Sequence, residues 1–241
     1  MDRYTFMRAV DAGKVNFPSV DLQGVRLSGR TIDALGLPGA DFRSASLIGT
    51  RFIRVDLVRV NFGSAELRNA MFRECDLSHM YTLDTELAGA DFTGCKMHEA
   101  DLRGAANLQA AILSGCDLMG ALLSDQMLSD SDLFGTNLTA ADLTNSDLTG
   151  ARLRAARLTG VCARGADFRM CDLRDANFQL ADLRGADLRQ IVGERIDFRD
   201  ADLRGAKVHR ANLSGADVRG ARLDGVDLTG AQTEGLITDA G

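Results

Sequence analysis

A five-residue period runs through this sequence from Val15 to Gly235 and limits the fold more than any other feature. Cut into fives, the chain reads VNFPS, VDLQG, VRLSG and later ADFRS, ASLIG, VDLVR, VNFGS, AELRN. The centre of each five, position i, is nearly always Leu or Phe. Position i−2 is small, and i−1 is usually Asp or Asn. The frame runs through Ala100-Asp101-Leu102-Arg103-Gly104, slips by one residue at Ala105, resumes at Ala106-Asn107-Leu108 and continues to Ala231-Gln232-Thr233-Glu234-Gly235.

A period of five matches neither the 3.6 of a helix nor the 2 of a flat strand. It suits a chain that takes a short extended step and turns a corner every five residues, so that four steps close a coil of about twenty residues, the repeat length of a solenoid. Side chains at i−2 and i then point inward and i−1, i+1 and i+2 face solvent, with Gly, Asn, Asp and Ser supplying the corners. Stacked about 4.8 Å apart, roughly eleven coils make a rod of about 50 Å. Residues twenty apart should form columns. Phe52, Phe72 and Phe92 make one, Phe178 and Phe198 another. Cys75, Cys95 and Cys116 make a third that survives the slip, which reads Ala105 as a bulge in a continuous helix.

The A-(D/N)-(L/F)-x-x pattern of ADLRGA, ANLSGA, ADLTNSDLTGA and ADFRMCDLRDANFQLADLRGA resembles the pentapeptide repeat family over about nine-tenths of the 241 residues. The resemblance implies an all-β fold, a right-handed quadrilateral parallel β-helix. Fold alone does not fix function. The expected organisation is an N-terminal cap at 1–14, a single β-helix at 15–235 with a one-residue slip near 105, and a C-terminal tail at 236–241. A solenoid needs its ends covered. Tyr4, Phe6, Met7 and Val10, at loosely helical spacing, predict a short amphipathic capping helix. At the other end, the expectation is that Leu236 and Ile237 cover the last coil or that the end stacks on another molecule.

Composition agrees with one small packing solution used repeatedly: no Trp, two Tyr, two Pro and 25 Gly. The net charge of −6 lacks the basic excess of a nucleic-acid binder. No apolar run approaches the ~20 residues of a membrane span, and the charged N-terminus lacks a signal-peptide core. The expected compartment is the cytoplasm, where the five cysteines act as reduced, small hydrophobes.

Catalytic chemistry finds no support. His79, His98 and His209 are outward; His79 and His98 lie on adjacent coils, but no acid, base and nucleophile converge on them. Three thiols stacked in one wall do not converge as zinc ligands do, and every glycine belongs to the repeat, leaving no phosphate loop. Neither cofactor nor metal is expected. The weak centres at Thr82, Ala163 and Gly193 read as packing irregularities, with Ile191 filling the space at Gly193. Pro38 marks a distorted corner. Beyond residue 160, Asp at i−1 alternates with Arg at i+1, which reads as solubility and edge protection.

One segment departs from that balance. Between Arg103 and Arg152 there is no Lys or Arg, while Asp117, Asp125, Asp130, Asp132, Asp142 and Asp147 fall inside it, so it carries the whole net charge of −6. Ile112, Met119, Leu122, Met127 and Phe134 stand at outward positions there. Ile48, Ile53 and Val58 form a second apolar group. Exposed apolar residues rimmed by charge mark partner sites. The candidate partner-binding residues are therefore Ile112, Asp117, Met119, Leu122, Met127, Asp132, Phe134, Asp142 and Asp147.

These features predict a non-catalytic scaffold whose rigid walls bind a protein partner of unknown identity, without direct contact to nucleic acid or membrane. The cap followed by Ala12-Gly13-Lys14-Val15-Asn16-Phe17 resembles cyanobacterial pentapeptide proteins of heterocyst regulation. The alternative follows from resemblance to the gyrase-binding quinolone-resistance members: an acidic rod could mimic DNA in the saddle of DNA gyrase. Two departures weaken it. Those proteins dimerise through a C-terminal helix that this chain lacks, and the acids here spread over all walls. A homodimer by end-to-end stacking is the expected assembly.

Overall fold

The computed structural model describes Met1 and residues 3–239. Asp2, Ala240 and Gly241, and what the cap and tail expectations assign to them, lie outside the described residues. The chain divides into two compact units, Met1–Asp117 and Leu118–Gly241.

The first unit opens with helix α1, Arg3–Asp11. The predicted apolar face is reduced in practice to Phe6, which is buried and packs its ring 5.1 Å from that of Phe17. Met7 and Val10 are half-buried, and Tyr4, expected on that face, is exposed. The helix stops at Gly13, with φ +86°. There the N–H of Lys14 reaches the carbonyl of Ala9 and that of Gly13 the carbonyl of Val10, the double hydrogen bond that lets glycine end a helix.

From Asn16 the backbone forms parallel bridges with the chain twenty residues on, in four ladders five residues apart. One ladder widens into strands β1 (Thr31–Asp33), β2 (Arg51–Ile53) and β3 (Met71–Arg73), paired in parallel with Phe52 opposite Phe72. Elsewhere the bridges stand singly. The offset is twenty up to Glu86↔Ala106 and twenty-one from Asp91↔Ile112. The extra residue is thus taken up after Ala106, not at Ala105 as the sequence frame placed it. The intervening chain makes a 3-10 turn, Leu108–Ala110, preceded by Asn107 in the left-handed conformation. Leu108 still reaches the core.

The second unit repeats the arrangement with a constant offset of twenty. Its ladders are named by their first described bridges: Leu122↔Asp142, Met127↔Asp147, Asp132↔Arg152 and Asn137↔Arg157.

One local geometry builds every repeat. Positions i−2 and i are buried in most repeats of both units up to Val218. The residue at i+2 takes a φ of about +52° to +75° whether or not it is glycine. The N–H of i+3 closes the turn on the carbonyl of i, as Val25 does on Leu22 at 3.1 Å. A turn with positive φ only at its second central residue is type II. The Asp or Asn at i−1 also braces this turn. Its Oδ1 accepts the N–H of i+1, as Asp21 does from Gln23 at 3.0 Å and Asn61 from Gly63 at 2.9 Å. Threonines at i−2 find backbone acceptors. Thr50 Oγ1 donates to the carbonyl of Leu27 and Thr85 Oγ1 to that of Phe62, so burial leaves neither hydroxyl unpaired.

The predicted columns form. Phe52 and Phe72 stack at 4.9 Å and 3°, and Phe72 and Phe92 at 4.7 Å and 9°. Phe178 and Phe198 lie 5.5 Å apart but tilted by 36°. Cys75, Cys95 and Cys116 each direct Sγ at the carbonyl of a column phenylalanine, Phe52, Phe72 and Phe92 in turn. Of the weak centres, Thr82 is fully buried and donates Oγ1 to the Asp101 carbonyl at 3.0 Å. At Gly193 a Cβ would meet Ile191 Cδ1 at 3.2 Å, so Ile191 does fill that space.

The described tail residues extend a ladder instead of covering the last coil. Ile237 continues the Asn137 ladder by bridging Asp217. Leu223 and Leu228 remain 37% and 40% exposed, although both occupy centre positions that are fully buried in most repeats.

Candidate partner-binding surface

The nine residues singled out by the sequence fall in both units. Ile112 and Asp117 belong to the first unit. Ile112 bridges Asp91, and Asp117 bridges Lys96 while its Oδ2 lies 2.6 Å from His98 Nε2. His79 and His98 are neighbours through their backbones, the N–H of His79 donating to the carbonyl of His98 at 2.8 Å. Their side chains turn to acids instead of to each other, His79 Nδ1 lying 3.4 Å from Glu99 Oε2. Ile48, Ile53 and Val58, five residues apart, stand beside three different ladders and are half-buried.

The other seven candidates lie in the second unit and divide among its four ladders. Leu122, half-buried, bridges Asp142; Met127 bridges Asp147; Asp132 and Phe134 flank one centre, Leu133; Met119 flanks Leu118, whose N–H bonds the carbonyl of Asn137. Two local groups emerge. In one, Met127, 56% exposed, adjoins Asp147. In the other, Phe134, 51% exposed, shares a repeat with Asp132. The carboxylates are not free hooks. Asp132, Asp142 and Asp147 each accept the N–H of the residue two further on, Phe134, Thr144 and Thr149, at 3.1, 3.0 and 2.9 Å. Each turn thereby holds its acid and the next outward residue in fixed relation.

Met170 and Leu180 are the most exposed of the apolar residues in the second unit that the sequence reading did not single out. Both sit at i+2 corners with φ of +60° and +62°. The frame could have exposed them, since an apolar residue at i+2 has no inward alternative.

Electrostatics separates the two ends of this unit. Beyond residue 160 each Arg at i+1 whose repeat carries Asp at i−1 grips that Asp, as Arg174 does Asp172 at 2.5 Å and Arg204 does Asp202 at 2.6 Å, while Arg164, whose i−1 residue is Cys162, reaches Asp182 instead. The Arg204 hydrogen bonds hold the Asp202 carboxyl down at about 2, and Arg184, aided by Arg164, holds Asp182 well below the usual carboxylate range. The alternating charges are therefore chelated pairs within single repeats, more than stripes.

The cysteines offer no chemistry to a ligand. Burial pushes the Cys95 thiol up to about 12 and raises those of Cys75, Cys116 and Cys171, which keeps them protonated and unreactive. Among the described residues no group of His, Cys, Asp and Glu could hold a metal ion, and no helix is long and apolar enough to cross a membrane.

A chain whose backbone pairs with itself every twenty residues, turned by one five-residue unit, is a repeat solenoid. Eight copies of the pentapeptide repeat model match it, over residues 37–73, 70–105, 85–125, 105–139, 131–169, 151–190 and 194–231. The chain belongs to the pentapeptide repeat family, whose members fold as right-handed β-helices. Among solved structures it is similar to HetL, a pentapeptide repeat protein involved in heterocyst differentiation regulation from Nostoc sp. strain PCC 7120, at 30% identity over 96% of each chain with a TM-score of 0.47. It is also similar to full-length QnrB1, a plasmid-mediated fluoroquinolone resistance protein, at 21% identity over 93% of each chain with a TM-score of 0.45. No curated protein sequence matches it.

Proposed function

We propose that this protein is a non-catalytic cytoplasmic scaffold whose ladders close into a right-handed quadrilateral coil, and that it presents a flat wall to a protein partner. The observation that carries the reading is the Asp132–Phe134 repeat. There a half-exposed aromatic ring stands beside a carboxylate that the turn fixes in place, inside a stretch without Lys or Arg. Aromatic side chains dominate partner energetics when a contact desolvates them, and the rigid turn lowers the entropy lost on binding. The Met127–Asp147 pair offers a second, separate contact. The partner it fits is basic with an apolar recess. Affinity capture from cell extract with the wild type, Phe134→Asp and Met127→Asp tests this. A protein retained by the wild type and lost with Phe134→Asp supports the reading; identical retention by all three removes it.

The second reading, a DNA mimic directed at gyrase, asks for rows of uncompensated carboxylates. The chelation of Asp167, Asp172, Asp187 and Asp197 by Arg169, Arg174, Arg189 and Arg199 leaves few of them beyond residue 160. A supercoiling assay with and without a quinolone decides between the readings, since a mimic inhibits or protects the enzyme and a scaffold does neither.

Assembly by end-to-end stacking has its own support. In the last described coil Leu223 and Leu228 are exposed, and the N–H groups of Leu223, Gly225, Leu228 and Gly230 meet no acceptor among the described residues. An open edge with apolar filling is a pairing surface. Sedimentation should give twice the mass of one chain for the wild type and a single mass for Leu228→Glu; a wild-type monomer at high concentration excludes the dimer.

A further inference from the structure

The Met127 ladder of the second unit runs Met127, Asp147, Asp167, Asp187, Lys207 and Asp227, with a cation at one step in a run of acids. At that step the Asp-to-Arg rule reverses: Lys207 replaces the aspartate and His209 the arginine. The next residue, Arg210, occupies the left-handed corner with φ +58°. Neither Lys207 nor Arg210 has a carboxylate in ion-pair range among the described residues, unlike Arg169 and Arg189 in the repeats before them. Those two arginines spend Nε and Nη2 on Asp167 and Asp187, which leaves each guanidinium with its Nη1 donors.

The space around His209 is concave. A depression of about 170 Å³ is lined by Arg169, Arg189, Gln190, His209 and Arg210, with no carboxylate among its lining residues. A second depression of about 310 Å³, which shares Arg189 and His209 with the first, adds Lys207 and is bounded by Gly205, Gly225 and Asp227. The corner on the next coil is Gly230, where a Cβ would lie 3.6 Å from Arg210 Cγ and 3.8 Å from His209 Cε1. A side chain at that corner would therefore pack directly on both residues.

We propose that this concavity is a binding site for a small, multiply charged oxyanion of the phosphoryl class. The first depression offers guanidinium, imidazole and amide donors and no carboxylate, and Asp227 is the one carboxylate among the residues that line the second. Guanidinium forks match the oxygens of a phosphoryl group, and a site with unpaired cations gains Coulomb energy that a chelated Asp–Arg pair has already satisfied. A nucleic-acid backbone fits less well. It needs a run of cations, whereas Asp147 and Asp227 stand on the same ladder and the chain carries −6 overall. This site is separate from the Phe134 surface, so the two readings fail independently.

Nuclear magnetic resonance of the whole chain, titrated with pyrophosphate at constant ionic strength, tests the assignment. Saturable shifts of the His209 ring and the Arg210 side chain are expected, with chloride as the control salt. Arg210→Glu should weaken binding at least tenfold, and Lys207→Glu severalfold. Arg43→Glu, in the other unit, should leave it unchanged. Inorganic phosphate and a phosphoserine peptide form the other arms: tighter binding of the peptide identifies a phosphoryl group carried on protein, tighter binding of pyrophosphate a free ligand. Shifts that merely follow chloride, or that persist in Arg210→Glu with native circular dichroism, overturn the site.

Discussion

Leu180 holds a left-handed corner, φ +62°, while 60% exposed. An L-residue there carries strain of about 1–2 kcal/mol, and its exposed side chain returns little burial energy. Glycine removes the strain but widens the unfolded ensemble, at about 0.5–1 kcal/mol. Leu180→Gly is therefore expected to stabilise by under about 1 kcal/mol, read as a higher urea midpoint. The same corners show why the sequence reading was only partly right. Gly, Asn and Asp at i+2 were legible as turn residues, but Leu180, Met170, Gln190 and Arg210 adopt the same φ because the ladder on each side fixes the backbone. The cysteines make a second test at this scale. Cys75, Cys95, Cys116 and Cys171 are buried and Cys162 is half-buried. A disulfide reagent should thus titrate Cys162 first in the native protein and all five thiols only in denaturant; rapid reaction of several native thiols would contradict the column.

At the scale of elements, α1 depends on one side chain. Phe6 is fully buried and meets Phe17, while Tyr4 is exposed. Phe6→Ala should cost about 3–5 kcal/mol, whereas Tyr4→Ala should stay within about 0.5 kcal/mol; thermal melts of both variants separate a cap held by Phe6 from one held by the whole face. Spacing announced a helix here but not its rotation: Tyr4 and Phe6, two residues apart, cannot share a face, and it is Phe6 that meets Phe17. The repeat element shows a related limit. The Asp at i−1 reads as a solvent-facing charge, yet its Oδ1 accepts the N–H two residues on and its Oδ2 takes the arginine, as at Asp172. Nothing in composition separates a solubilising aspartate from one that also closes a turn.

For the whole molecule, the aspartates held below their ordinary value lie mostly beyond residue 160, including Asp172, Asp182, Asp197, Asp202 and Asp217. In each the hydrogen bond from its arginine is the main cause. A carboxyl lowered by folding contributes stability above its unfolded value of 3.8 and loses it as pH falls toward the folded one, about 2 for Asp202. The protein should keep its melting temperature from neutrality to about pH 4 and lose it progressively toward pH 2. Replacing Arg174, Arg199 and Arg204 together with Gln should flatten that loss; an unchanged acid profile would show that the pairs contribute nothing measurable. Because the pairs are exposed, the effect at neutral pH should be small.

The five-residue period determined by itself the parallel self-pairing, the inward Leu and Phe columns and the family, because so short a repeat admits one way to bury the same two positions in every five. It also revealed the acidic stretch between Arg103 and Arg152. Tertiary structure decided the rest. It showed that Met127 and Phe134 stand beside different ladders and that His209 borders two depressions, one with Arg210 and one with Lys207. It also showed that Leu223 and Leu228 are left bare. Those outcomes depend on which residues twenty apart become neighbours and on which corner lacks a side chain, and a linear period carries that information only once the coil is built.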